Sequence, residues 1–174
     1  RLGLAAGKYF LVTAHRSENV DHPAQLKAII EALGRLHERY RQVVLYPMHP
    51  RTRDRVGERT PPATLHLIDP VGYLEFLGLQ QHARLVITDS GGVQEETTYL
   101  GVPCLTVRQN TERPVTITEG TNELVGTSPK KLLRAAFDRL SKARTAAKIP
   151  DLWDGHAAER IADVFAKTGA GERR

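Results

Sequence analysis

Six short apolar runs rich in β-branched residues recur along the chain, each separated from the next by a longer stretch, and that alternation leaves few folds open. The runs are residues 9–14 (YFLVTA), 42–47 (QVVLYP), 64–68 (TLHLI), 84–89 (RLVITD), 103–107 (PCLTV) and 122–126 (NELVG). Between and after them lie segments with helical periodicity: residues 23–40, 72–83, 91–101, 129–144 (with Ser128 as its N-cap) and 156–167. In residues 23–40, Leu26, Ile29, Ile30, Leu33 and Leu36 recur at three- and four-residue spacing, which defines one buried face. Strands that are apolar without interruption are covered on both sides, as happens in a parallel sheet with helices on each face. The pattern predicts an α/β fold, a doubly wound parallel Rossmann-like sheet of about six strands, with loops at residues 16–23, 49–62 and 108–121.

At 174 residues the chain fits one domain, residues 1–174, with a core large enough to be stable without cross-links. Its one cysteine, Cys104, lies in an apolar run and has no partner, so neither a disulfide framework nor a cysteine metal site is available. That usage fits a reducing, cytoplasmic setting, and no apolar stretch approaches the ~20 residues that cross a bilayer. The formal charge of +5 is dispersed, its densest groups (RTRDRVGER and the final GERR) being broken by acids or terminal. Aromatic residues are 6% of the chain and do not alternate with the basic ones, which argues against nucleic acid and for a modest phosphate-binding patch.

Three polar segments follow strand runs directly, and in open α/β sheets the ligand crevice lies beyond the carboxyl ends of the strands. In LVITDSGGVQEE, Ser90, Gly91 and Gly92 open a helical stretch. A helix N-terminus carries unpaired N–H groups and the positive end of the helix dipole, and glycines there let a phosphate approach the backbone. Ser90 adds a hydroxyl, and Glu95 and Glu96, one turn in, offer carboxylates to a ribose diol. The alternative is a tight turn made by the glycine pair, with Ser90 capping the helix. In TAHRSENVD, His15 is suited to moving a proton and Arg16 to two-pronged pairing with phosphate oxygens. The alternative there is a solvated loop with His15 bonded to a backbone carbonyl. YPMHPRTR sets His49 after the second run, and NTERPVTITEG sets Glu112 and Arg113 after the fifth, with Pro114 biasing Arg113 toward extended backbone. Each is ordinary alone; together on one sheet edge they have the composition of a nucleotide-diphosphate site. His22, His37, His66, His82 and His156 have no such company. Metal ligation is not expected, since no His-x-x-x-His spacing occurs, and TDSGG lacks the Gly-x-Ser-x-Gly turn of an acyl-transfer nucleophile.

TAHRSENVD, YPMHP, LIDPVGYLEFLGL, the long stretch from LVITDSGG to LVGTSP, and DGHAAERI together resemble the carboxy-terminal half of the non-hydrolysing bacterial UDP-N-acetylglucosamine 2-epimerases. The resemblance runs in register over nearly the whole chain. It implies the second of two Rossmann-like domains facing across a cleft, the architecture of B-type glycosyltransferases, with an amino-terminal catalytic half outside this chain. It also implies an enzyme that interconverts UDP-N-acetylglucosamine and UDP-N-acetylmannosamine without a cofactor, for cell-envelope polysaccharides, by eliminating UDP and adding it back. The family's dimerisation would make a homodimer of the intact enzyme.

Carried over by position, the resemblance places phosphate contacts on Ser90, Gly91 and Gly92, a ribose contact on Glu96, a nucleotide-facing arginine at Arg113 and an aromatic beside uracil at Phe76. His15 matches a histidine implicated in activity, and Arg16 and His49 match residues that in some members contact a second, regulatory UDP-N-acetylglucosamine. The acids that handle the C2 proton belong to the other half, so these 174 residues alone are expected to bind UDP and not to epimerise. The chain departs from the common family pattern at Ser17, Arg51 and Val115. Other outcomes of the same residues are a B-type UDP-sugar glycosyltransferase domain and a non-catalytic nucleotide-sugar-binding module.

Overall fold

Alternation along each strand sorts its side chains between two faces, and in the four inner strands both faces are covered. In the computed structural model, which describes residues 2–56, 65–142 and 148–169, the strands are β1 (Tyr9–Thr13), β2 (Val43–Pro47), β3 (Leu65–Ile68), β4 (Leu85–Thr88), β5 (Cys104–Thr106) and β6 (Asn122–Leu124). They form one six-stranded sheet in the order β3-β2-β1-β4-β5-β6, with every pairing parallel. Each strand lies inside its predicted run; Thr64, the predicted start of the third, is outside the described residues.

The helices are α1 (Ser17–Val20), α2 (Pro23–Tyr40), α3 (Pro50–Val56), α4 (Tyr73–His82), α5 (Gly91–Tyr99), α6 (Val115–Thr118), α7 (Pro129–Ser141) and α8 (Ala157–Gly169). Three expected loops therefore carry helical turns, α1, α3 and α6. The part of the second loop at residues 57–62, and residues 143–144 of the predicted fourth helix, lie outside the described residues. Ser128 sits at the N-cap of α7, but its side chain makes no capping bond.

Phe10, Val12, Val44, Tyr46, Leu85, Ile87 and Leu105 point to one side of the sheet, where Leu26, Ile29, Leu33 and Leu36 of α2 and Leu132 and Ala136 of α7 cover them. The intervening Tyr9, Leu11, Leu45, Val86 and Cys104 point to the other, against Phe76 and Leu79 of α4 and Val93 of α5. Period-two alternation thus builds two cores, one per face. Each buried Leu or Ile of α2 is worth about 1.5–3 kcal/mol, so the predicted stripe is ample to hold the helix down. The apolar face of α8 is different: Ile161, Val164 and Phe165 are 57%, 60% and 71% exposed. No described helix is long and apolar enough to cross a membrane.

Candidate functional site

Strand register decides which loops meet. Thr13 pairs with Thr88 and Thr88 with Thr106, so the chain leaves β1, β4 and β5 side by side. The Asp89 N–H donates to the Thr13 carbonyl at 3.2 Å and the Val107 N–H to the Thr88 carbonyl at 2.8 Å, which carries the alignment past the strand ends. β1 and β4 are also where the strand order reverses, the place where such sheets open a crevice. His15 and Arg16, Ser90 to Gly92, and the segment from Arg108 to Arg113 share this rim. His49 joins them from the end of β2, close enough to perturb the charge of His15.

Asp89 is the hub of the rim, and it was not among the residues singled out in the sequence. Its carboxylate is 2% exposed. It accepts the His15 backbone N–H at 2.9 Å, the Arg16 backbone N–H at 2.9 Å and the Asn19 side-chain amide at 2.9 Å. Asn19, fully buried, donates also to the Val107 carbonyl at 3.0 Å. One acid therefore clamps the β1 loop against the ends of β4 and β5. The only legible signal was its place, immediately before Ser90.

The His15 ring lies against Tyr46, centroid to centroid 5.9 Å. Burial pushes its imidazole below the usual histidine range; Asp89 opposes this, His49 adds to it, and a hydrogen bond to the Pro47 carbonyl opposes it. The Pro47 carbonyl is therefore near the ring, in line with the backbone-carbonyl alternative.

Arg113 is set from below by a buried polar network. The Gln94 side chain, fully buried in α5, accepts from the Thr111 hydroxyl at 2.6 Å and from the Asn122 amide at 3.2 Å. The Thr111 hydroxyl accepts the Arg113 N–H at 3.0 Å, and the Thr116 hydroxyl donates to the Arg113 carbonyl at 2.7 Å. The Arg113 guanidinium lies 2.6 Å from Glu95, half-exposed. Behind it Arg108, only 4% exposed, holds Glu112 through two bonds of 2.7 and 2.8 Å. Those bonds pull the Glu112 carboxyl down to about 2. Arg108 reads in sequence as a loop residue and is in fact the buried cation of the rim.

Ser90 occupies the N-cap of α5 and makes no side-chain capping bond, so the capping alternative fails. Its own N–H donates to the Thr88 hydroxyl at 3.0 Å. Gly91 and Gly92 begin the helix, where backbone N–H groups have no intrahelical acceptor. A Cβ built on either would meet no heavy atom within 4 Å, and neither has a positive φ. Gly120 shows the contrast: a Cβ there would lie 2.5 Å from the Thr116 carbonyl oxygen and the Thr98 hydroxyl. Packing demands glycine at residue 120; neither packing nor backbone conformation demands it at 91 and 92.

Further along α5, Glu96 accepts from the Gln80 amide of α4 at 2.5 Å. Phe76, also on α4, is half-buried over the second core with Val93 and Leu79, so part of its ring is already used in packing. Among the described residues no group of three or more His, Cys, Asp or Glu side chains is placed to hold a metal ion. Elsewhere, a cleft of about 900 Å³ runs past Leu4, Ile68, Val71, Leu79 and His82.

The family model for UDP-N-acetylglucosamine 2-epimerase matches residues 2–166. The chain belongs to the UDP-N-acetylglucosamine 2-epimerase family. It is 44% identical over 163 residues to UDP-N-acetylglucosamine 2-epimerase of Methanocaldococcus jannaschii, a match covering 90% of this chain and 44% of that protein. It is 42% identical over 168 residues to UDP-2,3-diacetamido-2,3-dideoxy-D-glucuronate 2-epimerase of Pseudomonas aeruginosa, covering 95% and 47%. The crystal structure of the M. jannaschii epimerase in complex with UDP-GlcNAc and UDP superposes with a TM-score of 0.81, over 91% of this chain and 45% of that one. This epimerase-family chain therefore spans less than half the length of the relatives it matches. Its fold extends to a glycosyltransferase of kitacinnamycin at TM-score 0.58 and 17% identity.

Proposed function

We propose that residues 1–174 are the UDP-binding domain of a UDP-N-acetylglucosamine 2-epimerase, and that the rim at the carboxyl ends of β1, β4 and β5 holds the diphosphate. The observation that carries this is the glycine pair. Gly91 and Gly92 sit at a helix start that neither crowding nor φ reserves for glycine, and glycine gives a helix no advantage over alanine, costing about 0.5–1 kcal/mol in a helix interior. A group from outside the chain that lies against the bare backbone accounts for both, and an anion is what that helix end attracts. The two relatives named above differ in their sugar and share UDP and epimerisation at C2, which supports UDP as the part recognised here.

In the elimination, a base takes the C2 proton as UDP departs, and charge gathers on the diphosphate. Amides of Gly91 and Gly92, the Ser90 hydroxyl, Arg113 and the His15 imidazole are the donors for that charge. Arg16 and His49 stand beside them, Glu96 takes the ribose, and Phe76 borders the base. The C2 base lies in the further part of the longer protein, which has an apolar place to pack in Ile161, Val164 and Phe165 of α8. Assayed as 174 residues, the chain binds UDP without turnover. Titration calorimetry with UDP tests the site: Arg113→Ala should weaken binding about tenfold or more, the worth of a charge-assisted hydrogen bond. Unchanged affinity would remove Arg113 from it, and epimerisation by the 174 residues alone would show that the C2 base lies within them.

A further inference from the structure

Gln80 is the one fully buried residue of α4, while the apolar Phe76, Leu77 and Leu79 of the same helix are all less buried. That reverses the usual order, in which amides stay wet and leucines go inside. Its amide nitrogen donates to one Glu96 oxygen at 2.5 Å across the α4–α5 contact. Its carbonyl oxygen is buried with no hydrogen-bond partner among the described residues. A buried acceptor left unpaired works against folding, and a leucine or methionine here would avoid that cost. The arrangement is therefore poor as a strut, and what it does accomplish is to fix a carboxylate.

We propose that Gln80 is a positioning residue that orients Glu96 for the ribose of the nucleotide. The inference rests on the reading of Glu96 as the ribose acceptor. A glutamate on a helix surface has three free rotors, and freezing them on binding costs affinity. With one oxygen tied to Gln80, the plane of the Glu96 carboxylate is set before the nucleotide arrives, and the other oxygen is left to accept from the diol. Among the described residues Gln80 is the one side chain that donates to Glu96, since Arg113 is paired with Glu95.

The test is calorimetric titration of the 174-residue chain and of Gln80→Met and Gln80→Leu with UDP and with its 2′-deoxy analogue. Methionine and leucine both fill the buried position with apolar bulk and remove the donor. The parent should prefer UDP over the deoxy compound by about tenfold or more, as expected when a charged acceptor loses its hydroxyl. Both variants should lose that preference through weaker UDP binding, with affinity for the deoxy compound unchanged and Gln80→Met melting no lower than the parent. If either variant, folded by circular dichroism, keeps the full preference, the role of Gln80 is overturned. If the parent itself binds both nucleotides equally, the ribose reading of Glu96 falls and takes this inference with it.

Discussion

Replacing Gly92 with alanine should make the protein more stable and worse at binding UDP. A Cβ at position 92 meets no heavy atom within 4 Å, and the backbone there has no positive φ, so the methyl group enters without strain. Its effect on folding then reduces to the helix preference of alanine over glycine, no more than the interior value of about 0.5–1 kcal/mol. In a chain of this size that raises the melting temperature by up to roughly 4 °C. The same methyl group stands over the helix N-terminus, where a phosphate would need to lie against the amide, and it should lower UDP affinity by about tenfold or more, the loss of one charge-assisted hydrogen bond. Differential scanning calorimetry and titration calorimetry on one preparation read both numbers. A Gly92→Ala protein that melts lower than the parent, or that binds UDP unchanged, refutes the argument that these glycines serve a ligand. Gly120→Ala is the control of opposite sign, since its Cβ would fall 2.5 Å from the Thr116 carbonyl oxygen.

Asp89→Asn removes the charge from an acceptor of three N–H groups, which should cost about 2–3 kcal/mol and lower the melting point by roughly 4–12 °C. NMR titration should place the His15 imidazole lower still in that variant, because Asp89 is what holds it up. Glu112, held at about 2 against an ordinary 4.5, contributes stability that is present above pH 4.5 and is lost as pH falls toward 2. Glu112→Gln should accordingly flatten acid unfolding over that window while lowering stability at neutral pH. Cys104 is 1% exposed and its thiol is pushed up to about 12 by burial, so a thiol reagent at pH 8 should label it only after denaturation.

The strands were legible because burial on both faces leaves an unbroken apolar run, and residues 9–14 or 84–89 admit little else. The helix over Pro23–Tyr40 was legible in full for a different reason, a one-sided apolar stripe long enough to show its period. Four- and seven-residue turns such as α1, α3 and α6 were read as loops, since no period can show in so few residues. At the site, candidate residues could be named from their chemistry, and the structure brings His15, Arg16, His49, Ser90 and Arg113 to one rim at the strand ends. The residues that hold them there could not. Asp89 reaches loop partners 70 to 74 positions away, and Gln94 and Gln80 are helix amides whose burial depends on the neighbouring element being in place. Polar residues acting through buried networks carry no local pattern, because their partners are set by topology.

The central claim is that the diphosphate of UDP lies against the start of α5 and touches the loops after β1 and β5. Titrating UDP into the ¹⁵N-labelled chain and following its amide resonances tests this directly. The account predicts saturable shifts that are largest at Gly91, Gly92, His15 and Arg113. Shifts confined to the cleft beside Leu4, Val71 and His82, with the start of α5 unmoved, would contradict it.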